Sequence, residues 1–334
     1  MTQERGTDKM KKRWIMMLFT LIFCMGLLPA CGGEETAYID KAPVAEVALE
    51  EEAAILASAP GAVPASVSQK AAEQGKVHQE KRSDKAVIDY TDTADGYVQV
   101  QFTAATQKKL KAQVKGPAIT YTYNMTAGKL ETFPLSDGNG KYQVTVYENT
   151  TGNKYAVVTS VTFDVVLKDE FAPFLHSNQY VDYAAAPNAI AKAAELTAGV
   201  TDPLKKVEKV YDYVVKNMTY DKEKAAVVTS GYLPHLDTVL AAKKGICFDY
   251  AALMTGMLRS QGVPCKLVVG YAGSAYHAWI SVWTEETGWV DGVIYFDGHA
   301  WHRMDPTFAS SGKQSDAIMK YIGDGKNYTA KYLY

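Results

Sequence analysis

Four spacings of apolar and polar residues succeed one another along the chain. Residues 14–28 form a nearly unbroken apolar run, set directly after the cations Lys9, Lys11, Lys12 and Arg13. Residues 32–85 show no sustained period and are rich in Ala, Glu, Pro, Ser, Gln and Lys. That composition predicts a flexible tether, with a nascent helix near residues 44–56. Residues 86–170 alternate. In GYVQVQFTA, Val98, Val100 and Phe102 share one face, and Tyr97, Gln99 and Gln101 share the other. AITYTYNM, KYQVTVYEN and YAVVTSVTFDVVL also suit strands, and the turn signals SDGNGK and TTGNK separate them. Short strands without helices predict a small antiparallel β-sandwich. No chemistry is visible in it, so it reads as a spacer or as a peptide-docking module.

After residue 170 the period becomes helical. PNAIAKAAELTAG has Pro near its start and Gly at its end. DPLKKVEKVYDYVVKN repeats apolar residues at Leu204, Val207, Val210, Tyr211 and Val214, one face of a helix. Residues 225–236 read as a loop. A third helix begins around Cys247 and is apolar nearly all round, which predicts burial at the domain centre. Three strand candidates follow: CKLVVGYA, YHAWISVWT and residues 289–307. Tyr321, Tyr328, Tyr332 and Tyr334 predict a C-terminal segment packed against the core.

Composition narrows the classes. With 47% apolar residues and 334 positions, the chain has material for a sizeable core and about two domains. Its formal charge is −2, and no long basic run interrupts the body, so nucleic acid is not the expected main partner. No Gly-rich phosphate loop occurs. His299 and His302 stand three apart, but a zinc site wants three or four converging ligands, so no metal or cofactor is implied.

The cationic run, the apolar run and the sequence LLPACGG read as an export signal, too short and wrongly flanked for a stable membrane span. The segment resembles the bacterial lipoprotein signal, in which the cysteine after a small residue becomes the lipidated first residue. That cysteine is Cys31. The resemblance implies a chain anchored by lipid on the extracellular face of the cell membrane. Ordinary secretion is the plainer alternative. Removal of residues 1–30 takes away Cys24, and lipid occupies Cys31. Cys247 and Cys265 then remain, able to stay free or to form one disulfide.

Three residues carry candidate chemistry. A thiol attacks as thiolate, which the partial positive charge of a helix N-terminus favours, and Cys247 stands where the third helix starts. It also suits a small buried hydrophobe. His277 lies in SAYHAWISVW, opposite in facing to Tyr276, Ala278, Ile280 and Val282. Fixed placement on a strand suits a general base, and equally a satisfied core histidine. Asp305, in WHRMDPTFA, can accept from an imidazole and hold its tautomer, or can simply open an Asp-Pro turn. Asp249 complements the positive end of its helix, and Cys265 reads as packing.

Read in order, GICFDYAALMTGMLRSQGVPCKLVVGYA, HAWISVW, GW and DPTFA resemble the core of the transglutaminase-like superfamily, over residues 188–309. The resemblance implies an α+β, papain-like fold: a helix bundle packed on an antiparallel sheet, here preceded by the β-sandwich. It implies Cys247 as nucleophile, His277 as base and Asp305 as orienter. The acid of the family usually lies nearer the histidine, so Asp291 and Asp297 stay as rivals. The expected organisation is signal (1–31), tether (32–85), β-sandwich (86–170) and transglutaminase-like domain (171–334). The expected activity is thioester-forming acyl transfer on peptide, protein or cell-wall peptide amides at the cell surface. A non-catalytic binding or scaffold protein with the same fold is the alternative.

Overall fold

The structure, a computed structural model, describes residues 77–285, 288–291, 293–296, 301–304 and 328–334. The export signal with Cys31, the tether up to residue 76, Asp297, His299, Asp305 and Tyr321 lie outside those residues.

Among the described residues, eight strands come first: β1 (Glu80–Arg82), β2 (Ala86–Asp89), β3 (Tyr97–Phe102), β4 (Leu110–Lys115), β5 (Thr120–Met125), β6 (Leu130–Pro134), β7 (Gly140–Thr151) and β8 (Lys154–Val165). They form two four-stranded antiparallel sheets, ordered β1-β2-β3-β6 and β5-β4-β7-β8. The alternation seen in the sequence decides which side turns inward. Val98, Val100 and Phe102 of β3 are buried, while Tyr97, Gln99 and Gln101 are half-buried. Leu110, Ala112 and Val114 of β4 and Val144 and Val146 of β7 join the same core. Each such Val, Leu or Phe side chain contributes about 1.5–3 kcal/mol on burial.

One boundary differs from expectation. β1 lies inside the segment read as tether and pairs with β2, Lys81 opposite Ile88. It is the edge strand of its sheet, and Lys81 and Arg82 point to solvent. An edge strand that buries little carries no apolar signal, and charge there discourages stray pairing.

Five α-helices follow among the described residues: α1 (Pro187–Leu196), α2 (Pro203–Asn217), α3 (Lys222–Val227), α4 (Leu236–Ala242) and α5 (Cys247–Ser260). The Asp202-Pro203 pair starts α2 as its chemistry requires, the Asp202 carboxylate accepting from the Leu204 and Lys205 amides. The predicted face, Leu204, Val207, Val210, Tyr211 and Val214, is the buried one. The expected loop at 225–236 shortens to residues 228–235, because α3 and α4 take its ends. In α5 every residue from Cys247 to Arg259 is buried. A Cβ on Gly256 would lie 2.5 Å from Leu236 Cδ1, so glycine there lets α4 pack close.

β9 (Thr219–Tyr220) pairs in parallel with β10 (Lys244–Gly245) just ahead of α5. The second sheet system comprises β11 (Cys265–Ala272), β12 (Ala275–Thr284), β13 (Gly288–Asp291) and β16 (Tyr328–Leu333), ordered β13-β12-β11-β16 and antiparallel throughout. β14 (Val293–Phe296) and β15 (Trp301–Met304) form a separate two-stranded pair. The third strand candidate thus divides among β13, β14 and β15. The strand β16 was not foreseen. It lies beside β11 because Gly270 has no side chain: a Cβ there would stand 2.0 Å from the Thr329 carbonyl oxygen.

Aromatic rings join the sandwich to the segments that follow it. Tyr121 of β5 lies 5.7 Å from Tyr332 and 5.6 Å from Tyr334, centroid to centroid, and Tyr180 lies 5.7 Å from Phe248 of α5. Tyr328 stacks edge-on to Trp279. For Tyr328, Tyr332 and Tyr334 the expected packing of the C-terminal segment is what the structure shows.

Candidate active site

Cys247 is the first residue of α5, and the two-residue pair β9–β10 pins the backbone leading into it. Asp221 N–H donates to the Gly245 carbonyl at 2.9 Å, and Thr219 N–H to the Lys243 carbonyl at 3.0 Å. Lys243 takes φ 51°, ending α4 in the left-handed region, so the chain turns at once into β10. Position 245 has no room for a side chain, because a Cβ on Gly245 would meet the Asp249 Cβ at 2.6 Å.

Asp249 does more than offset a helix dipole. It is wholly buried, and its Oδ2 accepts from the Ile246 N–H at 2.8 Å and from Lys224 Nζ at 2.6 Å. Its Oδ1 accepts from the Tyr232 hydroxyl at 2.5 Å, and Lys224 Nζ also donates to that hydroxyl at 2.5 Å. The bond to Ile246 is the acidic half of a capping box; an isoleucine side chain has no acceptor to complete the other half. Burial, then the bond to Asp249, raises the Tyr232 phenol far above its ordinary value, so it stays a donor. Sequence reasoning missed Lys224 and Tyr232. Their partnership with Asp249 spans 25 and 17 residues respectively, and no local period reports it.

His277 sits on β12 opposite Gly270 of β11. Its ring lies 6.4 Å from the Trp279 ring, nearly parallel to it, and the residue is 7% exposed. Tyr276, His277 and Ala278 all reach one narrow cleft, which Cys247 and Phe248 also line. Its volume is about 60 Å³, and it opens to solvent rather than being sealed.

Two walls of the cleft come from segments with no visible motif. Ser230, Gly231 and Tyr232 belong to the loop between α3 and α4, held by the Tyr232–Asp249 bond. Thr122 and Asn124 come from β5 of the sandwich. The sandwich therefore helps to shape the cleft and is more than a spacer. Pairing of the partners across a domain boundary left no mark in either segment's sequence.

The remaining candidates separate by position. Asp291 is paired with Ser281, four residues along β12 from His277, or about 13 Å at ~3.3 Å per residue. β15 ends at Met304, one residue before Asp305. Cys247 and Cys265 are both free and buried. Burial pushes the Cys265 thiol up to about 11, and its Sγ lies 3.6 Å from Thr255 Oγ1 inside the core. Arg259, buried at the far end of α5, donates to the carbonyls of Cys265, His176 and Tyr334 at 2.7–2.8 Å. Burial lowers its guanidinium to about 10, which still leaves it charged at neutral pH.

Residues 190–292 match the family described as the transglutaminase-like superfamily, a span that holds Cys247, His277 and Asp291. This chain carries a transglutaminase-like domain. The domain is similar to YebA of Bacillus subtilis, an uncharacterized protein, with 29% identity over 118 residues, 29% of this chain and 16% of that protein. It is also similar to a protein-glutamine gamma-glutamyltransferase of Pseudomonas aeruginosa, with 31% identity over 68 residues, 16% of this chain and 10% of that protein. The matched stretch is thus a small part of both relatives. Among solved structures, the periplasmic domain of TgpA from Pseudomonas aeruginosa, bound to ethylmercury, aligns over 71% of this chain and 77% of that one. The identity is 18% and the TM-score 0.33. The α+β architecture, helices packed on an antiparallel sheet, is the arrangement expected of a transglutaminase-like domain.

Proposed function

We propose that the protein is an exported, lipid-anchored cysteine acyl-transfer enzyme acting on peptide or protein amides. The observation that carries the reading is the meeting of Cys247, at a helix N-terminus, and His277, on the facing strand, in one narrow cleft. The superfamily of residues 190–292 supports it, as does the activity named for the Pseudomonas aeruginosa relative.

In this mechanism His277 takes the proton of the Cys247 thiol, and the thiolate sulfur attacks the amide carbonyl carbon. The carbonyl oxygen gains the negative charge and needs donors; the backbone N–H of Cys247 is one candidate. As the C–N bond breaks, the imidazolium returns its proton to the departing amine, and a thioester remains. Water then yields an acid, or a primary amine yields a new amide. Asp305 holds the imidazole in the required tautomer. Lipid on Cys31 keeps the enzyme at the extracellular face of the membrane.

The decisive test is labelling of the full chain by an amide-derived thiol probe. Wild-type protein should label at Cys247 and His277→Ala should not, with folding of both checked by circular dichroism. Equal labelling of the two would remove His277 from the mechanism. Absence of labelling in both would favour the scaffold reading. For the anchor, Cys31→Ser should release the protein from membranes and remove the lipid mass. Membrane retention by that variant would reject the anchor.

A further inference from the structure

We infer that the outer edge of β5 receives the extended main chain of a polypeptide substrate, which adds to the sandwich sheet as a further strand beside the Cys247–His277 cleft. The inference deepens the proposed acyl-transfer reading and rests on it for the identity of the reacting group.

β5 is the end strand of the sheet β5-β4-β7-β8, so one of its edges faces away from β4. The direction of that edge follows from Asn124, whose carbonyl oxygen accepts from the Gln179 side chain at 2.6 Å. Gln179 belongs to the segment between the sandwich and α1, so the Asn124 carbonyl points outward from the sheet. In an antiparallel ladder the outward groups recur every second residue. The N–H and C=O of Thr122 therefore point the same way, while Tyr121 and Tyr123 turn theirs toward β4. The side chains agree: Thr122 and Asn124 bond to Gln113 and Lys111 on the open face, and Tyr121 and Tyr123 are buried.

An open edge is common; this one is placed against the chemistry. Thr122 and Asn124 line the cleft that holds Cys247 and His277. Across from them stands Gly231, where a Cβ would lie 2.9 Å from Asn124 Nδ2, so the loop closes on β5 at Asn124. Thr122, two residues back, has a main-chain donor and acceptor on the same edge, with no main-chain partner among the described residues. An extended chain hydrogen-bonded to Thr122 turns alternate side chains to opposite faces. One of them then points toward the narrow space before Cys247. Strand addition takes its affinity from main-chain bonds and its selectivity from side-chain pockets. That suits an enzyme whose catalytic cleft is itself lined by the strand that would receive the substrate.

The probe is denatured casein, an unfolded polypeptide, and the protein is the full chain with Cys247→Ala so that no turnover occurs. Fluorescence anisotropy should show binding that Thr122→Pro weakens at least tenfold, because proline lacks the outward N–H and is tolerated at a strand edge. Thr122→Val, which keeps the N–H, should bind within twofold of its parent. Amide exchange of residues 120–125 should slow on binding, a readout that needs no change in β5. Binding that leaves this exchange unaltered, or that survives Thr122→Pro in a folded protein, overturns the inference. So does failure of the parent to bind casein at all. The catalytic reading is measured apart from this, by wild-type turnover of a short acyl-glutamine amide too short to pair with β5 as a strand. Activity there with no casein binding would sink the docking edge and keep the enzyme; casein binding without any turnover would do the reverse.

Discussion

The Tyr232 hydroxyl donates to the buried Asp249 carboxylate at 2.5 Å, and this bond ties the loop walling the cleft to the first turn of the helix that presents Cys247. Lys224 completes the arrangement, its ammonium reaching both partners and lying 4.2 Å from the Tyr232 ring. The cleft wall and the first turn of α5 are therefore tied to one carboxylate.

Tyr232→Phe should cost about 1.5–3 kcal/mol, the range for a hydrogen bond to a charged group. Lys224 and the Ile246 amide still hold the carboxylate, so the protein should fold. The loop would be freed, raising KM for amide substrates more than it lowers kcat. Urea denaturation with steady-state kinetics would check both; an unchanged midpoint would show that the bond contributes nothing.

Asp305→Asn should reduce turnover by orders of magnitude, on the scale of the roughly 10⁴-fold loss seen when a triad aspartate is neutralised. Asp291→Asn should leave it within a few-fold, since its register position opposite Ser281 is remote from His277. Kinetics of the two variants beside Asp297→Asn would decide. Greater damage from Asp297→Asn, with Asp305→Asn active and folded, would move the role to Asp297.

Gly270→Ala should destabilise the domain by about 1–3 kcal/mol, the usual scale of overpacking. The added methyl would stand 2.0 Å from the Thr329 carbonyl oxygen, so β16 must shift away from the strand that backs His277. Thermal unfolding and amide exchange of residues 328–334 would report it. A variant with wild-type exchange there would contradict the packing.

Alkali should unfold the protein cooperatively. Burial raises the phenols of Tyr121, Tyr123, Tyr276 and Tyr334 well above their ordinary value near 10. A raised folded-state pKa leaves its stabilising contribution intact below pH 10. Above that, the unfolded chain ionises first and stability falls, by about 1.4 kcal/mol per tyrosine per pH unit. Tyrosinate absorbance should appear together with loss of secondary structure. Smooth ionisation of these rings in a folded protein would refute it.

Much of this molecule is written locally. The alternation at Val98, Val100 and Phe102 sets which side of β3 turns inward, because strand side chains alternate by geometry alone. Asp202-Pro203 starts α2, and the all-round apolar character of residues 248–258 sends α5 to the centre. Cys247 and His277 were legible as candidates because their neighbours recur in a familiar order. What tertiary structure alone decided is partnership. Lys224 and Tyr232 gain meaning only when Asp249 is buried between them, since a charge with no water must find its counter-charge wherever the chain supplies one. Thr122 and Asn124 are ordinary strand residues until the tyrosines of β5 pack against Tyr332 and Tyr334 and bring that edge to the cleft. β16 escaped notice because a strand sandwiched late against β11 is held by a glycine some sixty residues earlier, and periodicity carries no information across such a distance.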